Sequence, residues 1–183
     1  MKKRLLSWLL VLTMVISLIP STLVTTAFAA DAAGNGVDIA GATDLADDAN
    51  PIASAGVYRI SGQRQNAVKI TTTEPVTLVL NNVTIITETS PIELVQGAKV
   101  TLVIEDGTVN TLTCTATRIE DSNDGKTAGI LVPSDAALTI DKPQATEGNG
   151  RLRVTAGAGG AGIGGGSGVY SSDRAANGSD GTQ

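Results

Sequence analysis

Hydrophobic and polar residues follow one pattern twice in succession in the middle of the chain. The first copy, Ala67–Asn82, reads AVKITTTEPVTLVLNN, and the second, Pro91–Asp106, reads PIELVQGAKVTLVIED. The matched pairs lie 24 residues apart in the numbering and are Val68 with Ile92, Ile70 with Leu94, Val76 with Val100, Leu78 with Leu102, and Leu80 with Ile104. A fixed period of this size, in short strands rich in β-branched residues, predicts a solenoid of stacked coils.

Within each copy the hydrophobic residues alternate with others, as in a strand with one buried face. Val76 and Leu80 therefore face one side, and Thr77 and Val79 face the other. We expect the first side to form a core and the second to be mostly in contact with water. A single coil cannot bury its hydrophobic side, so the core depends on stacking between coils.

A third copy of the pattern follows after an interruption. Ala128, Ile130, Leu138 and Ile140 align with Ile92, Leu94, Leu102 and Ile104 at an offset of 36, which is one period plus 12 residues. We therefore expect residues 116–127 to form an insertion loop at one edge of the stack, where solenoid proteins often bind ligands. The predicted solenoid domain covers residues 56–156, with strands beginning at Gly56 and a turn at Ser61-Gly62.

The N-terminus has the features of a secretory signal peptide. Lys2, Lys3 and Arg4 precede an apolar run, and Ala27-Phe28-Ala29 supplies small residues for signal peptidase. We expect residues 1–29 to be removed, with no transmembrane segment in the remaining chain, which is then secreted or attached to the cell wall. Residues 30–55, rich in Ala, Asp, Gly and Asn, are predicted to be a largely irregular linker.

Charge and composition limit the classes of partner. The chain has 13 Lys and Arg and 18 Asp and Glu; removal of the leader takes three of the cations, which leaves a net charge of −8. Nucleic acid is therefore excluded as an expected partner, because no basic patch is present to neutralise phosphates. The one cysteine, Cys114, excludes a disulfide framework and favours a small buried apolar residue.

Two arginines are the clearest polar candidates for ligand binding. In the strand that begins at Arg151, Leu152 and Val154 are predicted to point inward, and Arg151 and Arg153 outward on the same face. Two guanidinium groups about 7 Å apart along a strand can bind carboxylates. A solubilising outer surface, or ion pairs with a neighbouring coil, is the commoner role for such residues. With Lys99, the two arginines are the candidate carbohydrate-binding residues.

Acidic residues in the insertion are candidate calcium ligands. Asp121 and Asp124 lie close together in the sequence, and carboxylate oxygens are the ligands that calcium prefers. A mobile acidic loop is the alternative. Asp106 and Asn110 lie at the expected turns, where Asp and Asn are favoured for their local hydrogen bonds, and a structural role is the first explanation for both.

The segment 157–183 changes composition abruptly. Eight of the twelve residues from Gly157 to Gly168 are glycine, as in a flexible linker. Ile163 instead suggests an inward position in a further tight coil, in which glycine allows close backbone approach. Because no polar cap follows, we expect the sequence to be the N-terminal part of a longer protein, truncated at the C-terminus.

The order of segments resembles the bacterial family of secreted carbohydrate-binding domains. VYRISG, VTLVLNNVTI, PIELVQGAKVTLVIEDGTVNTLT, AGILVPSDAALTI and GNGRLRVTAG carry the resemblance, over roughly Gly56 to Gly157. AGAGGAGIGGG is similar to glycine-rich repeats of Gram-positive surface proteins. The resemblance implies an all-β, right-handed parallel β-helix that binds acidic polysaccharide such as polygalacturonate, with calcium on the helix. The acids that match the family's turns are Glu105 and Asp106.

Three functions compete at this stage. The first is a non-catalytic module that binds polysaccharide or cell-wall glycan. The second is a polysaccharide lyase or hydrolase, which rests on fold analogy alone, since the chain has no histidine and no carboxylate pair can be nominated from spacing. The third is a structural stalk or adhesin segment, which the scarcity of aromatic residues for sugar stacking favours.

Overall fold

The computed structural model describes residues 36–117 and 125–166, together with two short strands at 170–171 and 174–175. These residues belong to one compact unit, Asp31–Gln183. Every regular element in them is a β-strand, which confirms the predicted all-β class.

The described residues contain thirteen strands. They are β1 (Thr43–Asp44), β2 (Gly56–Arg64), β3 (Val68–Ile70), β4 (Pro75–Thr87), β5 (Ile92–Leu94), β6 (Lys99–Ile104), β7 (Val109–Cys114), β8 (Ile130–Leu131), β9 (Ala137–Asp141), β10 (Arg151–Thr155), β11 (Ile163–Gly164), β12 (Tyr170–Ser171) and β13 (Arg174–Ala175).

The strands form two parallel sheets and one small antiparallel pair. The larger sheet has the order β1-β2-β4-β6-β9, with β7 paired to the C-terminal part of β4 and β10 paired to β7. The smaller sheet has the order β11-β8-β5-β3, and β12 pairs with β13. From β2 to β6 the chain alternates between the two parallel sheets, so each repeat contributes a strand to both.

Pairing between the two matched copies follows the predicted 24-residue period. In the smaller sheet Val68 pairs with Ile92, and in the larger sheet Leu78 pairs with Leu102. The other three predicted pairs are also direct neighbours in these ladders. The register inferred from the hydrophobic pattern is confirmed for these copies.

The predicted register of the third copy is wrong by two residues. Ile92 pairs with Ile130 and Leu102 pairs with Ile140, an offset of 38 instead of 36. The interruption therefore adds 14 residues to the 24-residue repeat. A slip of two residues keeps every side chain on its original face, so alternation alone could not reveal it.

The hydrophobic core lies on one side of each sheet. Its fully buried side chains include Leu78, Leu80, Ile85, Leu102 and Leu112. Each such side chain contributes about 1.5–3 kcal/mol on burial. Leu152 and Val154 pack against this core and are partly buried, as predicted, and Cys114 is a buried free thiol.

A corner in the larger sheet lengthens from one repeat to the next. Paired residues of β2 and β4 differ by 20 in residue number before the corner and by 21 after it. Between β4 and the next repeat (β6 and β7) the difference rises from 24 to 27. Between that repeat and the following one (β9 and β10) it rises from 38 to 42. The predicted strand end at Ser61-Gly62 is wrong, because β2 continues through a register shift there. In β4 the added residue is Asn82, whose φ of 49° makes the bend without ending the strand.

The flanking segments pair with the sheets. In the predicted linker, Thr43 pairs with Tyr58 and the buried Ile52 forms a bridge to Ile70. In the glycine-rich segment, Ile163 pairs with Ile130 in the smaller sheet, although its side chain remains 42% exposed. A Cβ at Gly157 would lie 2.8 Å from the Ala116 carbonyl oxygen, so glycine permits this close approach.

Candidate functional site

The predicted arginine pair lies at the end of an exposed row of side chains. Arg153 on β10 pairs with Thr111 on β7, Thr111 with Thr84 on β4, and Thr84 with Gln63 on β2. Directly paired residues point to the same side of a sheet. Because neighbouring strands are about 4.8 Å apart, the row spans roughly 14 Å.

The surface around this row is here named the arginine face. It consists of Gln63, Thr84, Ile86, Val109, Thr111, Thr113, Arg151, Arg153 and Thr155. The residues between them along the strands, such as Ile85 and Leu112, are buried in the core. The arginine face is therefore the outer side of the C-terminal half of the larger sheet.

Both aliphatic and polar groups are accessible on the arginine face. Ile86 is 55% exposed and Val109 is 59% exposed, whereas Thr84, Thr111 and Thr113 are half-buried. Threonine hydroxyls can both donate and accept hydrogen bonds. The face can thus contact a chain of sugar rings through hydroxyl groups and C–H surfaces, without aromatic stacking.

The two guanidinium groups have no side-chain partner among the residues that the structure describes. In the part of the chain that the structure describes, neither Arg151 nor Arg153 forms an ion pair or a side-chain hydrogen bond. By contrast, Arg59 lies 3.6 Å from Asp44 and 3.7 Å from Glu105. The alternative in which the arginine pair binds acids of a neighbouring repeat is not supported among these residues.

A buried amide positions the backbone of Arg151. Asn110 is inaccessible to solvent, and its Nδ2 donates to the Arg151 carbonyl at 3.2 Å and to the Thr108 hydroxyl at 2.9 Å. Its Oδ1 accepts from the Val83 N–H at 3.0 Å. Asn110 joins β4, β7 and β10, which confirms the structural role that the sequence favoured.

Lys99 is not part of the arginine face. It begins β6, where it pairs with Pro75 and Ala137. Thr84 belongs to the row that ends at Arg153. Pro75, the partner of Lys99 on β4, lies nine residues before Thr84 on the same strand. The structure therefore brings two of the three predicted carbohydrate-binding cations together and leaves Lys99 on the other half of the sheet.

The turn acids have partners within the protein. Glu105 forms the ion pair with Arg59, and its side chain is only 26% exposed. Both oxygens of Asp106 accept backbone N–H groups, from Glu147 at 3.2 Å, Gly148 at 3.0 Å and Asn149 at 3.2 Å. These contacts stabilise the lengthened corner.

The contacts of Glu105 and Asp106 disfavour calcium, but calcium binding through these two acids stays a prediction. A guanidinium group beside Glu105 opposes a second cation, and the amides already bonded to Asp106 compete for its lone pairs. No group of three or more acidic, histidine or cysteine side chains that could hold a metal occurs in the described ranges. Asp121 and Asp124 lie outside these ranges, so calcium binding through them stays a prediction.

A cavity of about 300 Å³ lies at the opposite end of the row from Arg153. Its lining residues are Gln63, Arg64, Gln65, Thr84 and Ile86. Sequence analysis did not identify this cavity. The available signal was the spacing of Gln63 and Gln65, which places both side chains outward if the strand continues past its expected end. The predicted turn at Ser61-Gly62 ended the strand before these residues, so neither was assigned to the sheet.

Arg64 lies in the wall of the cavity but is already bonded. Its Nη1 donates to the Leu45 carbonyl at 2.9 Å and its Nη2 to the Ala46 carbonyl at 2.8 Å, while Nε lies 3.5 Å from an oxygen of Asp47. Burial lowers the pKa of Arg64 below its ordinary value, and the carboxylates of Asp47 and Asp48 act in the opposite direction. Arg64 holds the N-terminal segment against β2.

Comparison with known proteins gives one family match. The family model described as "Carbohydrate-binding domain-containing protein" matches residues 46–170, which is more than half of the chain. No curated protein and no solved structure matches the chain. None of the described residues belongs to a helix of the length and hydrophobicity that crossing a membrane requires.

Proposed function

Because the chain belongs to the family of carbohydrate-binding domain-containing proteins, we propose that it is a secreted, non-catalytic module that binds acidic polysaccharide through the arginine face. The observation that carries this proposal is the exposed pair Arg151 and Arg153, which has no ion-pair partner among the described residues. Guanidinium groups bind carboxylates with two parallel hydrogen bonds, so the favoured ligand carries uronate residues.

The glycan is expected to run across the strands, along the row from Gln63 to Arg153. Polar side chains repeat in this direction at each strand, about 4.8 Å apart, which suits a polymer of repeating sugar units. Along a single strand the outward positions are fewer. This orientation lets one polysaccharide chain contact all four strands of the arginine face.

The proposed architecture behind this face is a right-handed parallel β-helix. Two observations support it: both large sheets are parallel, and the chain passes alternately from one to the other. Right-handed connections are the rule for parallel strands. In such a helix the ends of successive repeats stack, which keeps the outward threonines and arginines in register.

Weak binding by a single site is expected. Without aromatic rings, each sugar gains hydrogen bonds that replace those to water, and such bonds contribute only about 0.5–1.5 kcal/mol each. The protein's negative charge also repels an acidic polymer at a distance. Selectivity for uronates then depends on the local arginine pair and decreases with added salt.

The test is retention of the chain from Ala30 to Gln183 on a panel of polysaccharides. Polygalacturonate and neutral polymers are compared, with calcium or with a chelator, and the same tubes are assayed for new reducing or unsaturated ends. Retention on polygalacturonate, absent in the variant Arg151→Gln/Arg153→Gln, is the expected result. Product formation would support the lyase or hydrolase instead, and neither retention nor product would support the structural stalk.

A further inference from the structure

We infer that the cavity beside Gln63 is a second sugar subsite, which takes an uncharged sugar residue of the same chain whose uronate binds Arg153. This inference rests on the proposed function. The preferred ligand is then an acidic heteropolysaccharide in which neutral and uronic residues alternate or are interspersed, and a polymer with a carboxylate on every ring binds more weakly.

The dimensions of the cavity suit one ring. Its volume of about 300 Å³ lies at the lower end of the range for small-molecule sites, about 300–1,000 Å³. It opens onto the arginine face through three residues of that face, Gln63, Thr84 and Ile86. A sugar chain along the row can therefore place one ring in the cavity while other rings remain on the flat surface.

The available polar groups suit hydroxyl recognition. Gln63 and Gln65 are exposed, and their side-chain amides form no hydrogen bond with the described residues. An amide presents both donors and an acceptor, which matches the mixed hydrogen bonding of sugar hydroxyls. Ile86 supplies an aliphatic wall for the C–H surface of the ring.

The charges around the cavity disfavour a uronate. Arg64 is the one cation in its lining, and its terminal nitrogens are used by the Leu45 and Ala46 carbonyl oxygens. Asp47 lies against Arg64, and Asp48 also acts on it, so two carboxylates accompany this single positive charge. A third carboxylate entering the cavity would be repelled and would find no free guanidinium group.

The two ends of the row therefore select different sugars. Gln63 and Arg153 are separated by three strand spacings, roughly 14 Å, which is several times the width of one ring. The ring in the cavity and the uronate at the arginine pair must then be different residues of one chain. Recognition depends on the order of neutral and acidic residues as well as on total charge.

The experiment compares two polymers and three variants. A rhamnogalacturonan backbone, in which uronic and neutral residues alternate, is compared with polygalacturonate by affinity gel electrophoresis. The variants are Gln63→Ala/Gln65→Ala, Arg153→Gln and, as a matched control, the exposed Gln144→Ala, which lies outside the cavity lining. Circular dichroism and thermal unfolding establish that each variant folds.

One result is expected for wild-type protein and one for each of the three variants. Wild-type protein binds the alternating backbone more tightly than polygalacturonate. Gln63→Ala/Gln65→Ala lowers affinity for the alternating backbone by about tenfold and for polygalacturonate by less than about twofold, whereas Arg153→Gln lowers both and Gln144→Ala lowers neither.

Other outcomes separate this inference from the proposed function. If Gln63→Ala/Gln65→Ala changed the affinity for both polymers equally, or for neither, the second subsite would be overturned. The proposed function would still stand if Arg153→Gln lowered affinity in the same experiment. No binding of either polymer by wild-type protein would overturn both. If Gln63→Ala/Gln65→Ala lowered affinity for the alternating backbone and Arg153→Gln did not, the binding of a uronate at Arg153 would be overturned. The inferred combination of a neutral and an acidic subsite would then be wrong.

Discussion

The two halves of β4 differ in how they use their outer side. From Val76 to Leu80 every residue is buried, including Thr77 and Val79, which alternate with the core residues. From Val83 to Thr87 only the inward residues are buried, and Ile86 is 55% exposed. One strand thus has a covered outer side before the corner and an accessible outer side after it.

This difference corrects the expectation that the outer side is mostly in contact with water. Val79 and Val103 are fully buried although they do not belong to the core cluster. Arg59 on β2 and Glu105, the residue directly after β6, form an ion pair across this region. On β4 the accessible outer positions therefore lie after the corner, on the arginine face, where a long ligand can reach the strand.

The largest expected effect comes from a charge placed in the core of the covered half. Leu102→Asp buries an unpaired carboxylate among core residues and is expected to cost more than about 4 kcal/mol, which removes cooperative unfolding. Thr101→Asp, the control on the outer side of the same strand, should stay within about 1 kcal/mol of wild type. Equal shifts in thermal unfolding would show that the inward and outward assignment is wrong.

A second pair of variants compares the two outer sides directly. Val79→Asp buries a carboxylate at an outer position whose direct neighbours are Arg59 and Val103, and it should cost about 2–4 kcal/mol because Arg59 is already paired with two acids. Ile86→Asp, on the exposed outer side of the same strand, should change stability by less than about 0.5 kcal/mol. Denaturant unfolding measures both, and a similar loss for Ile86→Asp would remove the distinction between the halves.

A smaller effect is expected at the corner between the halves. Asp106→Asn replaces one carboxylate oxygen, which accepts hydrogen bonds, with an amide NH2 group, which donates them. Because this group faces backbone N–H groups, the free energy of unfolding should fall by about 1–2 kcal/mol. Asp135→Asn, an exposed control, should be neutral. If added calcium stabilised wild-type protein and this gain disappeared in Asp106→Asn alone, Asp106 would be a metal ligand after all.

The sequence predicted more of the fold than of the candidate site. The repeat between Val68 and Ile104 determined the register of the first two copies, because matching hydrophobic positions stack directly. It failed at Ile130, because a slip of two residues preserves the alternation. Burial of Val79 could not be inferred, since it depends on contacts with residues distant in the sequence.

For the site, alternation in β10 was sufficient to place Arg151 and Arg153 outward. The same reasoning could not separate them from Lys99, because all three are outward cations and only strand pairing shows which share a surface. The cavity at Gln63 depended on β2 continuing past Gly62, where local turn chemistry predicted an end.

The most direct test of the account is the affinity of two charge-matched variants for polygalacturonate. Arg153→Gln and Lys99→Gln each remove one exposed positive charge, but only Arg153 lies on the arginine face. Arg153→Gln is expected to lower affinity about tenfold, and Lys99→Gln is expected to change it by less than about twofold. Equal losses would show that net charge alone governs binding, and an unchanged affinity for Arg153→Gln would contradict the proposal that the arginine face binds the glycan.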